Sequence, residues 1–421
     1  MDSSREKTRL AVSAAVIGNV LEWYDFAVYG YVATLIGKNF FPPGNETVAL
    51  LATFAAFGIG FLARPLGGVV IGWIGDRHGR KVALLITIFL MAAGTVLIGL
   101  IPTYATIGVL APTILVLARL MQGFSAGGEW GGSTAFIVEW APEGRRGFFG
   151  SFQQMSVVMG LLLGSGIAAL LSTLLDATTM ESWGWRIPFL LGGILGPVGL
   201  YMRRTIEETP AYRKAAAAPV APSDGFRSPL VLAVQAFGFT ILWTVAFYIF
   251  LAYMPTFTQR YAGLSRAAAL WSNTAGLLLL MVAIPFFGHL SDKYGRKPFL
   301  LACCIVFVVL PYPAFSILLG GASLLTILLI QLLIGLAIAL FSGAGPAAIS
   351  EIFPTRTRST YMSTGYSIAV AIFGGFAPFI ATWLIEWTKS PISPVYYVIA
   401  AAIVSGIVIA GLRETAHRPL G

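Results

Sequence analysis

Charge is scarce in this chain, at 11% of 421 residues against 57% hydrophobic. A soluble domain of this size carries roughly a quarter charged side chains. So little charge cannot solvate a water-exposed surface, and most of this surface must face lipid. The mean hydropathy of +0.82 agrees. Cysteine is almost missing, and the two present, Cys303 and Cys304, are neighbours in one apolar run. Adjacent cysteines can hardly close an ordinary disulfide and fit no usual metal site, so they read as helix packing. Neither a phosphate-cradling Gly-Lys-Ser/Thr loop nor a His-Glu-x-x-His stretch occurs, which leaves ATP hydrolysis and zinc proteolysis without support. No cofactor, no metal site and no enzymatic activity is expected. Histidine is rare too: His78 and His289 fall at helix ends and His417 in the tail, so no histidine proton relay is expected.

What is present in quantity is long apolar runs. A spanning helix needs about 20 apolar residues. The runs predict twelve spans, at 12–36, 47–74, 82–101, 112–139, 148–174, 187–203, 230–257, 267–290, 298–319, 324–350, 361–386 and 394–412. The first run follows Arg5, Lys7 and Arg9, but it is too long for a signal segment and holds Glu22 and Asp25, so it reads as an uncleaved first span. Most of the 27 basic residues collect on the side of the membrane shared by the N-terminus, the loops after even-numbered spans and the C-terminus. That side is expected to be cytoplasmic, in a cell inner membrane. This asymmetry accounts for the net charge of +9 without a nucleic-acid partner. Residues 204–229 are polar and proline-bearing and read as a linker between two halves, 1–203 and 230–421.

The halves repeat. Gly75-Asp76-Arg77-His78-Gly79-Arg80-Lys81 follows the second span, and Ser291-Asp292-Lys293-Tyr294-Gly295-Arg296-Lys297 follows the eighth, 216 residues on. Glu139 to Arg146 after the fourth span returns as Glu351 to Arg358 after the tenth, at an offset of 212. Two motifs at nearly one offset imply duplicated six-helix bundles, as in alternating-access transporters. The fold expected is therefore all-α: twelve transmembrane helices in two pseudo-symmetric six-helix bundles. Asp76, Arg80, Glu139 and Arg146 in one half, and Asp292, Arg296, Glu351 and Arg358 in the other, are candidates for a gate-latching ion network.

These strings, with Gly72-Trp73-Ile74-Gly75 and Arg119-Leu120-Met121-Gln122-Gly123, resemble the major facilitator superfamily. More narrowly the chain resembles its metabolite:proton symporter family. That likeness runs through Gly18-Asn19-Val20-Leu21-Glu22-Trp23-Tyr24-Asp25-Phe26, Arg64-Pro65-Leu66-Gly67-Gly68, Gly123-Phe124-Ser125-Ala126-Gly127-Gly128-Glu129 and Trp183-Gly184-Trp185-Arg186-Ile187-Pro188-Phe189. The resemblance implies a proton-coupled symporter whose relatives carry citrate, tricarballylate, 2-oxoglutarate, shikimate, or proline and betaine. It also implies proton coupling by the first-span acid and fourth-span arginine, here Asp25 and Arg119. The partners implied are a small solute, protons and the bilayer, with the chain working as a monomer.

Ionisable residues at bilayer depth are costly and so mark function. Here they are Glu22, Asp25, Arg64, Arg119 and Glu129; at offset 212, Arg119 maps to Gln331 and Glu129 to Phe341. The buried charges thus occupy one half only. From a rise of about 1.5 Å per residue, two tiers are expected: Glu22–Arg64–Glu129 near the midplane and Asp25–Arg119 above. Substrate contacts are expected from Arg119, Arg64, Gln153, Tyr248 and Asn273. Arg64 and Arg119 favour an organic acid such as citrate, tricarballylate or 2-oxoglutarate. The aromatic set including Trp243, Phe247, Tyr248 and Tyr253 suits a betaine or proline-like zwitterion as the alternative, and the ending Arg413-Glu414-Thr415-Ala416-His417-Arg418-Pro419-Leu420 resembles that of the family's proline/betaine carriers.

Overall fold

The computed structural model describes residues 16, 19–78, 80–127, 129–194, 229–353 and 358–418. The 204–229 linker and the start of span one therefore lie almost wholly outside the described residues. Span one covers residues 19–40 with a break at Val32. Span two is Glu46–His78, span three Arg80–Leu100, and span four Leu110–Ser125, resuming as Glu129–Trp140. Span five is Arg146–Leu174, and span six is described over residues 187–194.

Span seven joins Pro229–Phe247, Tyr248–Tyr253 and Met254–Tyr261, and span eight is Arg266–Tyr294. Span nine is Lys297–Val309 with Pro311–Leu319, bent by 40°. Span ten is Leu324–Ile352, span eleven runs from Arg358–Ala369 through Val370–Gly374 to Ala377–Thr388, and span twelve is Pro394–Gly411. Among the described residues, 7 helices are long and apolar enough to cross a membrane, and the bent pair makes up to 8.

Local chemistry sets several starts. Asn45 Oδ1 accepts the amides of Thr47 and Val48 at 2.9 and 3.1 Å, satisfying donors that the first turn of span two cannot bond internally. Ser265 and Ser323 do the same for spans eight and ten. Pro298, Pro311 and Pro394 sit in first turns, where a missing N–H costs nothing. Val69, Phe89, Leu174 and Ile407 lie outward and exposed, as lipid-facing side chains should.

Lipid offers apolar helices no hydrophobic gain for associating, so close backbone approach matters. Spans two and four cross on glycines. A Cβ on Gly123 would run into the Gly60 carbonyl, and one on Gly67 into the Phe124 carbonyl. Between the halves, span five packs along span eight. Spans one and two face spans seven and eleven: Trp23 meets Phe247 at 5.7 Å, and Gly375 abuts the Phe61 ring.

The two halves meet at both ends. At the end bearing the loop motifs, Trp130 of span four stacks on Tyr366 of span eleven at 3.5 Å. The Gly147 and Phe148 amides there donate to the Asp292 carboxylate at 2.7 and 2.8 Å. At the far end, Tyr31 OH donates to Leu251 O at 3.0 Å, Phe54 meets Tyr253 edge-on, and Arg260 donates to Thr47 Oγ1 at 3.2 Å. Spans seven and eleven each widen into a π turn, at Tyr248–Tyr253 and Val370–Gly374. Such turns carry one extra residue and favour functional positions. Gly374, the last residue of the second turn, sits hard against Thr244 and Tyr248, at the start of the first.

Candidate functional site

Between the two closed ends lies a chamber walled by Trp23 from span one, Gln154 from span five, Trp243, Thr244, Phe247 and Tyr248 from span seven, and Tyr366 from span eleven. It is contracted to about 10 Å³, room for roughly one water. Tyr248 OH, Thr244 Oγ1 and Gln154 Oε1 are buried there without a hydrogen-bond partner. Buried polar atoms are normally paired, so three orphans around one cavity mark a polar place that a water or a ligand can fill. Tyr248, expected from the sequence, is among them; Trp23, Gln154, Thr244 and Tyr366 are additions. An aromatic residue in a membrane helix is usually packing, and the sequence carried no sign that Trp130 and Tyr366 would stack across the halves.

Arg64 lies beside this chamber. Its guanidinium sits 5.5 Å from the Trp23 ring centroid, 4.7 Å from Phe26 and 4.5 Å from Phe61. Its Nη2 is 3.7 Å from Glu22 Oε1 and makes no hydrogen bond among the described residues. This is a held but loose ion pair, one that a ligand carboxylate could displace. The lower tier thus forms as Glu22–Arg64. Glu129 opens the second segment of span four, but its side chain is outside the described residues.

The upper tier differs from the expected direct pair. Arg119 is fully buried among Phe26, Tyr29 and Phe57, at 5.0, 4.5 and 4.9 Å. It donates to Gln122 Oε1 at 2.7 Å and reaches the Phe57 carbonyl at 3.5 Å. Asp25 turns instead toward Thr95 of span three and Gly192 of span six. The reason is geometric: Gln122 is one helical turn from Arg119, nearer than span one, and Phe26 fills the space between Arg119 and Arg64. Neither Thr95 nor Gln122 was picked out as a site residue by sequence, although Gln122 belongs to the Arg119–Gly123 string.

Two other expected contacts lie off the chamber. The Gln153 amide is buried without a partner one residue from Gln154, while its backbone carbonyl accepts from Asn19. Asn273 donates to Ser165 Oγ at 3.2 Å and lines a separate cavity with Gln331, behind span seven.

At the motif end Arg296 is buried between Asp292 at 2.8 Å and Glu351 at 3.2 Å. Burial works against its charge, but the two carboxylates outweigh it and hold the guanidinium above its ordinary pKa. Arg146, expected to pair within its own half, reaches across to Glu351 at 3.8 Å, and Glu139 is exposed. The cross-half pair follows from the ends of spans five and ten meeting at the midline. The Asp76, Arg80 and Arg358 side chains are outside the described residues.

The tail completes this latch. Glu414 accepts the Arg296 and Lys297 amides at 2.9 and 3.0 Å, capping span nine. Thr415 donates to Glu351, and Arg146 donates to the Arg418 carbonyl at 2.8 Å. Burial pushes the Glu414 carboxyl up, but the amides of Arg296, Ala416, Lys297 and Thr415 outweigh it and hold its pKa below the ordinary value. A depressed carboxylate contributes stability above its unfolded pKa of about 4.3, lost as pH falls through the lower folded value. Glu414→Gln should therefore loosen the tail at neutral pH, and acidification should loosen it in the wild type. Hydrogen exchange at the Arg296 and Lys297 amides measures this, and unchanged protection in the variant would remove the cap.

Comparison with known proteins agrees along the chain. Residues 10–218 match the sugar (and other) transporter family, and residues 261–420 match the major facilitator superfamily. The chain is 36% identical over 427 residues to a proline/betaine transporter of Salmonella typhimurium, covering 98% of this chain and 85% of that one. It is 38% identical over 402 residues to a citrate-proton symporter of Klebsiella pneumoniae, covering 93% and 89%. Its fold superimposes on the proton:xylose symporter XylE with a TM-score of 0.81, at 18% identity, over 100% of this chain and 98% of the other.

Proposed function

The chain belongs to the metabolite:proton symporter family of the major facilitator superfamily, a transporter and not an enzyme, and from that premise we propose that it imports a small zwitterion of the proline or glycine betaine kind together with a proton. The observation that carries this reading is the chamber: aromatic faces of Trp23, Trp243, Phe247 and Tyr248 beside one available guanidinium, Arg64. A quaternary or secondary ammonium is attracted to aromatic faces by about 0.5–2 kcal/mol each. A single carboxylate suits a single arginine.

This reverses the preference for an organic acid. Arg119, the second cation on which that preference rested, is sealed behind Phe26, Tyr29 and Phe57 and bonded to Gln122. A tricarboxylate would enter a chamber at which Arg64 is the cation among the described residues, itself already opposed by Glu22. A buried charge without its partner is costly, so a net-neutral solute fits better. The citrate-proton symporter likeness keeps the organic acid as the second reading.

In the proposed cycle the solute carboxylate takes the place of Glu22 on Arg64. Asp25, coupled to Arg119, takes the proton on one side of the membrane and releases it on the other, with Glu22 and Glu129 assisting. Residues 1–203 and 230–421 rock about the chamber, joined by the 204–229 linker. The motif end faces the cytoplasm with both termini, in the inner membrane. One chain encloses one chamber and acts as a monomer.

Uptake into proteoliposomes tests the reading. Glycine betaine and proline should compete with each other and be insensitive to excess citrate, tricarballylate or 2-oxoglutarate. Trp243→Leu should raise the glycine betaine KM about tenfold, the loss of roughly one cation–π contact. Citrate uptake with no betaine uptake would replace this reading with the organic-acid one.

A further inference from the structure

We propose that Thr95 and Gln122 are positioning residues that transmit the protonation state of Asp25 to the guanidinium of Arg119. The proposal rests on the reading that Asp25 carries the transported proton. It stands on two buried hydrogen bonds that end beside Asp25, whose Oδ1 and the Thr95 methyl both lie against Gly192. Arg119 Nη1 donates to Gln122 Oε1 at 2.7 Å, Gln122 Nε2 donates to Thr95 Oγ1 at 2.8 Å, and Asp25 lies beside Thr95. Arg119, Gln122 and Thr95 are all fully buried, and Asp25 is 5% exposed.

The direction of each bond is forced. A guanidinium only donates, so the Gln122 carbonyl must face Arg119 and its NH₂ must face Thr95. The Thr95 oxygen is then an acceptor from Gln122, and its one hydrogen has two places to go. It now points to the Met91 carbonyl at 3.0 Å. With Asp25 protonated, the carboxyl hydrogen donates to the second lone pair of Thr95, and the Met91 bond stays. With Asp25 ionised, that hydrogen is gone, and the Thr95 hydroxyl rotates to donate to the carboxylate. The Met91 carbonyl keeps the bond its own helix supplies. No proton passes through Gln122 or Arg119: the proton leaves and returns at Asp25. What passes along the chain is the orientation of a hydroxyl and the polarisation of an amide.

Gln122 and Thr95 are the described polar groups that lead from Arg119 to the neighbourhood of Asp25. Asp25 Oδ1 has no partner and faces Gly192, where any side chain would strike it. Among the described residues, the charged groups around Asp25 are Arg119 on span four, with Arg64 on span two and Glu22 on its own helix beyond; Tyr24 is the neighbouring phenol. Spans three and six present Thr95 and Gly192, neither of which titrates. At its other end the signal reaches the chamber, because Phe26 lies between Arg119 and Arg64, with one guanidinium 5.0 Å and the other 4.7 Å from its ring. A shift of Arg119 therefore moves the ring that packs against the substrate-facing arginine.

The test uses wild type, Thr95→Val, Thr95→Ser and Gln122→Leu in proteoliposomes with glycine betaine. Accumulation driven by a pH gradient is compared with counterflow at equal pH, which needs no net proton movement. Coupling free energies span roughly 5–150-fold. Thr95→Val and Gln122→Leu should lose accumulation by about tenfold and shift the pH midpoint of uptake by about one unit, with counterflow retained. Thr95→Ser, which keeps the hydroxyl, should behave as wild type. Wild-type accumulation and midpoint in both Val and Leu variants overturns the proposal. So does equal loss of counterflow with Thr95→Ser no better, which is the signature of a packing role. A wild type that takes up no proton with glycine betaine overturns the coupling reading itself, and this shows before any variant is made.

Discussion

Asp25→Asn is expected to abolish uphill accumulation of glycine betaine while leaving its exchange intact. The size of the effect follows from the driving force. One charge crossing about 100 mV gains roughly 2.3 kcal/mol, and one pH unit adds about 1.4 kcal/mol. Coupling a neutral solute to one proton therefore sustains a gradient of about 500-fold. Asparagine keeps the shape and the contact with Thr95, but it cannot gain or lose a proton, so the gradient should fall to about onefold. Counterflow should persist because solute exchange leaves the proton count unchanged. Accumulation at the wild-type level would take Asp25 out of the mechanism and turn attention to Glu22, which faces Arg64.

How much of this was readable in the residues varies with the kind of interaction. The spans were legible because a bilayer demands long apolar runs, and Asn45, Ser265 and Ser323 mark starts with side-chain oxygens. The repeat was legible because charged loop residues stand out against apolar surroundings. The π turns at Tyr248–Tyr253 and Val370–Gly374 were not. A slip of one residue in helical hydrogen bonding is decided by what packs against it, and here Gly374 comes up against Thr244 and Tyr248. The Asp25–Arg119 pairing failed as a direct contact for a similar reason. Helical rise places two charges at compatible depths but is silent on which neighbour is nearer. Gln122, one turn away on the same helix, won the guanidinium. Thr95 sits in an apolar run with no charged neighbour in sequence, and only the packing of span three against spans one and four gives it a role. Glu414 was noticed as a likeness and not as a cap, because a cap is defined by the helix it ends on, more than a hundred residues earlier.

Gly147→Val should cut uptake by about two orders of magnitude by denying the molecule one of its closed ends. Gly147 opens span five where it crosses span eight. A Cβ there would collide with the Arg296 guanidinium, the Gly288 carbonyl and Ser291 Oγ. Overpacking of this kind costs about 1–3 kcal/mol. The Gly147 and Phe148 amides would also be pushed off Asp292, and hydrogen bonds to a charged group are worth about 1.5–3 kcal/mol each. The valine pays this cost only while the motif end is closed, because the contact lies between the halves and parts when that end opens. A bias of about 3 kcal/mol shifts the two populations by roughly 100-fold. Each bundle should still fold, since Gly123 and Gly67, which set the crossing of spans two and four, are untouched. The diagnostic readout is access to the chamber. A cysteine placed at Thr244, with the buried Cys303 and Cys304 replaced by alanine, should become labelled by a membrane-impermeant thiol reagent from the motif side in the valine variant, and scarcely without it. Inside-out vesicles distinguish that side. Wild-type uptake and no new labelling would mean the Gly147–Gly288 contact does not govern closure, and labelling only from the periplasmic side would reverse the proposed orientation.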